Sequence, residues 1–165
     1  FYKLSKYNNK VLHVIGPKIL NNKNVDLNPF MEKEMSRTKR WYWRIYFKNY
    51  YFSQILIFLN NLRKTFKYKT NQRKIRKVYA VHGSIIIFSK EFFRRGGMLD
   101  TNFELYGEEI TTAEISKKYK CETYYIPHLK VIHNEHSSTK KVNKRKIFFH
   151  AKKTHEYFIR SYLKK

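Results

Sequence analysis

An α/β fold is predicted by three features of this chain. Short runs rich in β-branched and aromatic residues recur at 11–15, 78–88 and 123–133. Between and after them, apolar residues fall at helical spacing over 37–62, 108–118 and 147–162. With 165 residues and 42% apolar content, the chain has the length of one domain and the material for a packed core.

The elements follow in order. Val11-Leu12-His13-Val14-Ile15 reads as a buried strand that Gly16-Pro17 should stop, and Asn21-Asn22-Lys23-Asn24 as a polar turn. Arg37, Arg40, Arg44 and Lys48 then fall three and four residues apart on one helical face, with Trp43, Phe47, Tyr50 and Tyr51 beside them. Residues 50–62 turn mostly apolar, giving either one long helix or two shorter ones, and 64–77 reads as a basic loop. His82-Gly83-Ser84 breaks 78–88 into a strand, a bend and a second strand. Ser89 is placed to cap a short helix that Gly96-Gly97 ends. Glu108-Glu109 should open the next helix, running to about Lys118. Two short strands are expected on either side of Pro127, and a final helix carries Ile147, Phe148, Ala151, His155, Phe158 and Tyr162.

Charge narrows the partners. Lys and Arg number 36 against 12 Asp and Glu, a formal net charge of +24 that attracts polyanions: nucleic acid, anionic lipid or nucleotide diphosphates. Residues 35–90 contain no acid at all. With Cys121 the only cysteine, an internal disulfide is excluded and a reducing compartment is the natural expectation. The sequence shows no secretory signal and no run of about 18 apolar residues able to span a bilayer. A cytoplasmic location, peripheral at the inner face of the plasma membrane, is expected.

The chemistry concentrates in 103–139. Phe103-Glu104-Leu105-Tyr106-Gly107-Glu108-Glu109 sets a carboxylate pair after an aromatic-glycine step; Tyr125-Ile126-Pro127, Val131-Ile132-His133 and Ser137-Ser138-Thr139 follow. Upstream, Gly16-Pro17-Lys18-Ile19, Asn28-Pro29-Phe30 and Gly96-Gly97-Met98-Leu99-Asp100 belong to the same series. Together these resemble the C-terminal half of family 2 glycosyltransferases with the GT-A fold, of the surface-polysaccharide, rhamnosyltransferase-like type. The resemblance covers roughly residues 10–165. It implies a partial GT-A fold, with a small mixed sheet, flanking helices and a basic helical insertion at about 35–77. It also implies the acceptor-side part of an inverting enzyme that moves a sugar from a nucleotide-sugar donor to a glycan, typically lipid-linked, acceptor.

Site residues follow from the resemblance. Glu109 takes the place of the catalytic base and Glu108 of a supporting or acceptor-binding acid. An acid in the first turn of a helix is also favoured by the helix dipole alone, whatever its function. Thr111-Thr112 departs from the acidic or apolar residues common in the family there. Gly83 and Ser84 stand where a glycine backbone approaches donor or acceptor, although a plain bend would look the same. Tyr106 and Asp100 belong to the same acceptor or donor side, and Asp100 can equally cap or pin its loop. His133 corresponds to a histidine near the metal and diphosphate, with His136 an alternative close by.

A complete GT-A enzyme holds its nucleotide and a divalent cation, Mg²⁺ or Mn²⁺, through an Asp-any-Asp motif. Asp26 and Asp100 are the only aspartates here, so that motif is absent, and the nucleotide-binding half with it. This chain is therefore expected to bind no metal by itself and to be inactive alone. The basic-aromatic segment would meet an anionic membrane surface in preference to nucleic acid, since no RNP, GXXG or zinc signature accompanies it. A non-enzymatic basic module binding nucleic acid or anionic membrane is the competing reading.

Overall fold

The computed structural model describes residues 12–63, 74–103, 106–134 and 143–163. Its centre is a four-stranded mixed sheet built from β1 (Val14–Leu20), β2 (Arg76–Lys77), β3 (Ile87–Phe88) and β4 (Thr123–Ile132). The order across the sheet is β2-β4-β1-β3. β1 and β4 run parallel, and the short outer strands pair antiparallel to them. The α/β expectation holds at this level.

β1 is buried almost throughout, as a strand covered on both faces should be; Val14 and Ile19 are fully enclosed. Gly16-Pro17 does not end it. The strand continues to Leu20, and the register with β4 shifts between Pro17 and Lys18. The same irregularity absorbs Pro127, so 123–132 is one strand instead of two. Before the shift Pro17 faces Ile126, and after it Lys18 faces Lys130. A proline has no N–H to give the ladder, and a bulge is where that loss is tolerated.

The stretch 78–88 forms less strand than its composition suggests. Ala80 makes an isolated bridge to Met31, and regular pairing resumes only at Ile87. The supposed loop at 64–77 ends in a strand, β2; residues 64–73 lie outside those described, as does Val11.

Helices α1 (Arg37–Tyr46) and α2 (Tyr50–Arg63) are two, not one. Ser36 caps the first, accepting from Lys39 N–H at 3.2 Å. Asn49 opens the second, its side-chain oxygen accepting from Tyr51 N–H at 2.8 Å. Ser89 caps α3 (Lys90–Arg94), and Gly96, at a φ of 95°, turns the chain out of it. α4 (Glu108–Lys118) and α5 (Lys144–Phe158) complete the set, α5 running on into a π-turn over Ile159–Leu163.

Three packing clusters hold the layers. Val14, Val81, Phe92 and Tyr125 join the sheet to α3; Met31, Met35, Ala80 and Ala113 join α4 to the 28–36 connection; Leu12, Ile15 and Ile126 pack together around the β1–β4 pair. The α1–α2 pair docks differently. Phe47 stacks on Trp43 at 5.5 Å between ring centres and meets Phe148 and His155 of α5 at 5.8 and 4.7 Å. Tyr50 adds an edge-on contact to Phe148 at 5.4 Å.

Candidate active site

The approach to α4 explains its carboxylates. Tyr106 has a φ of 60° and Gly107, the N-cap, a φ of 127°. A Cβ on Gly107 would stand 2.4 Å from Thr154 Cγ2, so glycine is required both by conformation and by the closeness of α5. Glu108 and Glu109 fill the first turn, where the helix dipole favours negative charge.

Both acids meet the 82–84 turn. Gly83 N–H donates to Glu109 Oε1 at 3.1 Å. A Cβ on Gly83 would lie 2.3 Å from Glu108 Oε1, so the bare backbone is what lets the second acid sit against the turn. Burial, then the neighbouring Glu109 charge, push the Glu108 carboxyl above its usual range.

Asn28 fixes that turn from beneath. It is almost fully buried; its Nδ2 donates to Pro17 O at 2.7 Å and its Oδ1 accepts from His82 N–H at 2.7 Å. Asp26 braces the same connection, accepting from Ile19 N–H, Asn28 N–H and the Tyr125 hydroxyl at 3.2, 3.0 and 2.6 Å. His82 Nδ1 accepts from Ser84 N–H at 3.1 Å, and the His82 ring lies 6.2 Å from that of His133. His133 itself is anchored by its N–H on Leu20 O at 2.8 Å, at the end of the β1–β4 pair.

The structure thus gathers Glu108, Glu109, Gly83, Ser84 and His133 around one turn. Asn28, Asp26 and His82 were missing from the sequence-based set. The signal for Asn28 was in the Asn28-Pro29-Phe30 match, and for His82 in its place beside Gly83. Tyr106 is on the rim, immediately before the N-cap. Asp100 serves another contact: its Oδ2 accepts from the Tyr157 and Tyr162 hydroxyls at 2.7 and 2.5 Å, and its Oδ1 from Asn102 N–H at 3.0 Å. Burial raises the Asp100 carboxyl, but these hydrogen bonds outweigh it and hold the group below its usual range. Its carboxylate pins the loop after α3 to the C-terminal helix. His136 and Ser137-Ser138-Thr139 lie outside the described residues, as do Glu104 and Leu105.

Among the described residues no group of three or more His, Cys, Asp or Glu side chains is placed to hold an ion. His133 offers a single imidazole, whereas Mg²⁺ takes about six oxygen ligands.

Beside the carboxylates lies a cavity of about 540 Å³, between α1, α2, the head of α4 and α5. Trp43, Phe47, Ile57, Ile147, Phe148 and Phe158 form much of its wall, and Glu109 lines one side. His155 lines another; burial, and then Arg44, pull its pKa down to about 4, so its ring is neutral at ordinary pH. Among the described residues its buried Nε2 has no hydrogen-bond partner.

On the outer side of the insertion, α2 exposes Tyr51, Phe52, Ile55, Phe58 and Leu59. No helix among the described residues is long and apolar enough to cross a membrane. No profile of a known protein family matches the chain, and no curated protein matches it.

Proposed function

We propose that this chain is the acceptor-side part of an inverting, GT-A-type glycosyltransferase, in which Glu109 removes the proton from the acceptor hydroxyl as its oxygen attacks the sugar. The observation that carries this reading is the Glu109 carboxylate: it is oriented by Gly83 N–H at 3.1 Å and still opens on a cavity large enough for a ligand. A base must be held rigidly and yet reach its substrate. Glu109 meets both needs, whereas Glu108 is packed behind Gly83 and acts as a supporting acid.

His133 and His82 would face the donor's diphosphate, where imidazole N–H groups can donate to phosphate oxygens. The nucleotide and its cation would be held by the nucleotide-binding half of a complete enzyme. The apolar face of α2, beside the cationic Arg37, Lys39, Arg44 and Lys48 of the preceding segment, would rest on an anionic lipid surface. That surface also favours the second reading, a basic membrane-binding module without enzymatic activity.

Replacement of Glu109 by Gln in the gene of the native host, with extracted surface glycans profiled by mass spectrometry, tests the proposal. Loss of one sugar, with the truncated acceptor accumulating, is expected. An unchanged glycan profile at normal protein level would overturn it.

A further inference from the structure

Glu109 is the only acidic residue among the described residues lining the 540 Å³ cavity, whose wall is mostly aromatic and aliphatic, with Lys144, Gln54, Thr154 and His155 as further polar members. That volume is within the range of about 300–1,000 Å³ typical of small-molecule sites. A carboxylate offers about four acceptor positions. Among the described residues, one hydrogen-bond donor, Gly83 N–H, reaches Glu109. Its remaining acceptor positions are open to a ligand that brings a donor. His155 Nε2 is buried in the same wall without a partner among the described residues, a cost that a ligand's polar group would relieve.

A mostly apolar wall with a carboxylate and an unpartnered, buried imidazole nitrogen set into it suits an amphiphile. From this we infer that the cavity receives the hydrocarbon chain of the acceptor, with a hydroxylated head seated at Glu109. The inference rests on the glycosyltransferase reading for the word acceptor, but the binding it asserts does not. The basic-aromatic insertion then has two sides with two tasks. Its outer side exposes Phe52, Ile55 and Phe58, while its inner side, through Trp43 and Phe47, forms the chamber.

The two tryptophans make this testable. Trp41 is 66% exposed, and Trp43 lines the cavity. In the full chain carrying Trp41→Phe, 8-bromo-octanol should quench Trp43 fluorescence saturably, because bromine quenches only at short range. In the chain carrying Trp43→Phe, quenching of Trp41 should rise only linearly with concentration. Bromo-octane, which lacks the hydroxyl, should bind Trp41→Phe about ten-fold more weakly, the expected value of a hydroxyl donated to a carboxylate. Glu109→Gln should erase most of that preference, and Ala151→Phe, which fills the cavity from α5, should abolish saturation. Equal, unsaturable quenching of both tryptophans would overturn the inference. So would equal affinity for the alcohol and the alkane, a comparison made on one protein and independent of any variant's folding. Neither outcome touches the sugar-transfer reading, which the glycan profile tests separately.

Discussion

The turn at 82–84 with the head of α4, and the helical insertion α1–α2, solve opposite problems. In the first, polar groups are fixed by hydrogen bonds that span the sequence: Asn28 reaches both Pro17 and His82, and Gly83 reaches Glu109. In the second, the main contacts with α5 are rings, Phe47 and Tyr50 laid against Phe148 and His155, and Trp43 stacked on Phe47. Directional bonds give a reacting group one position. Aromatic packing is less directional and leaves space, here a cavity at the join. The comparison teaches that precision at Glu109 and room beside it come from different parts of the chain.

The sharpest way to break the first region is Gly107→Ala. The φ of 127° and the approach of Thr154 Cγ2 act together, so a loss of roughly 2–4 kcal/mol is expected in chemical denaturation. A loss below about 0.5 kcal/mol would mean that α4 does not start as described.

The second region has a pH signature of its own. His155 is held neutral, with its pKa down at about 4, so its contribution is present above the unfolded value near 6.5 and is lost as pH falls from there toward 4. With screening at a partly exposed site allowed for, that is about 1–2 kcal/mol. Thermal melts of wild type and His155→Phe should diverge over this window, the wild type falling more steeply. Parallel curves would show that the fold does not hold His155 neutral.

Glu108 carries the opposite sign. Its carboxyl is raised by burial and by Glu109, so ionisation costs the folded state, and that cost is absent below the unfolded value and grows as pH rises through the folded one. Glu108→Gln should therefore melt higher than wild type at pH 7, with the difference closing by pH 4. A variant less stable at pH 7 would show that the charged form is the one the site stabilises.

Smallest is the outer face of α2. Binding to phosphatidylglycerol vesicles should weaken as salt rises, since exposed charges are screened over about 8–10 Å at ordinary ionic strength. A salt-resistant remainder should disappear in Ile55→Ser/Phe58→Ser, both of whose targets are exposed. Preference for single-stranded RNA over vesicles at equal charge would favour a nucleic-acid surface instead.

Periodicity was enough to locate most elements, because burial on a strand or helix leaves a local trace. Pro17 and Pro127 misled for a physical reason: their compatibility with β1 and β4 depends on a shared register shift between strands over a hundred residues apart, which neither segment reveals alone. At the candidate site, the resemblance singled out Glu108, Glu109, Gly83 and His133, and the fold places them around one turn. Asn28 and His82 stood within quoted motifs, but the bond that joins them spans 54 positions, and neither segment alone reveals it. The cavity was hidden too. Trp43, Phe47, Phe148 and His155 read as ordinary apolar faces until two helices meet imperfectly.

The most direct test of the account is sugar transfer itself. Extracts of native-host cells carrying wild type or Glu109→Gln, at matched protein level, are supplied with a panel of radiolabelled nucleotide sugars, and label is counted in the lipid-extractable and polymer fractions. Loss of a general base predicts a fall of about 10²–10⁴-fold with one donor, and a milder fall for Glu108→Gln. Undiminished incorporation of every sugar by the Glu109→Gln extract would contradict the central claim.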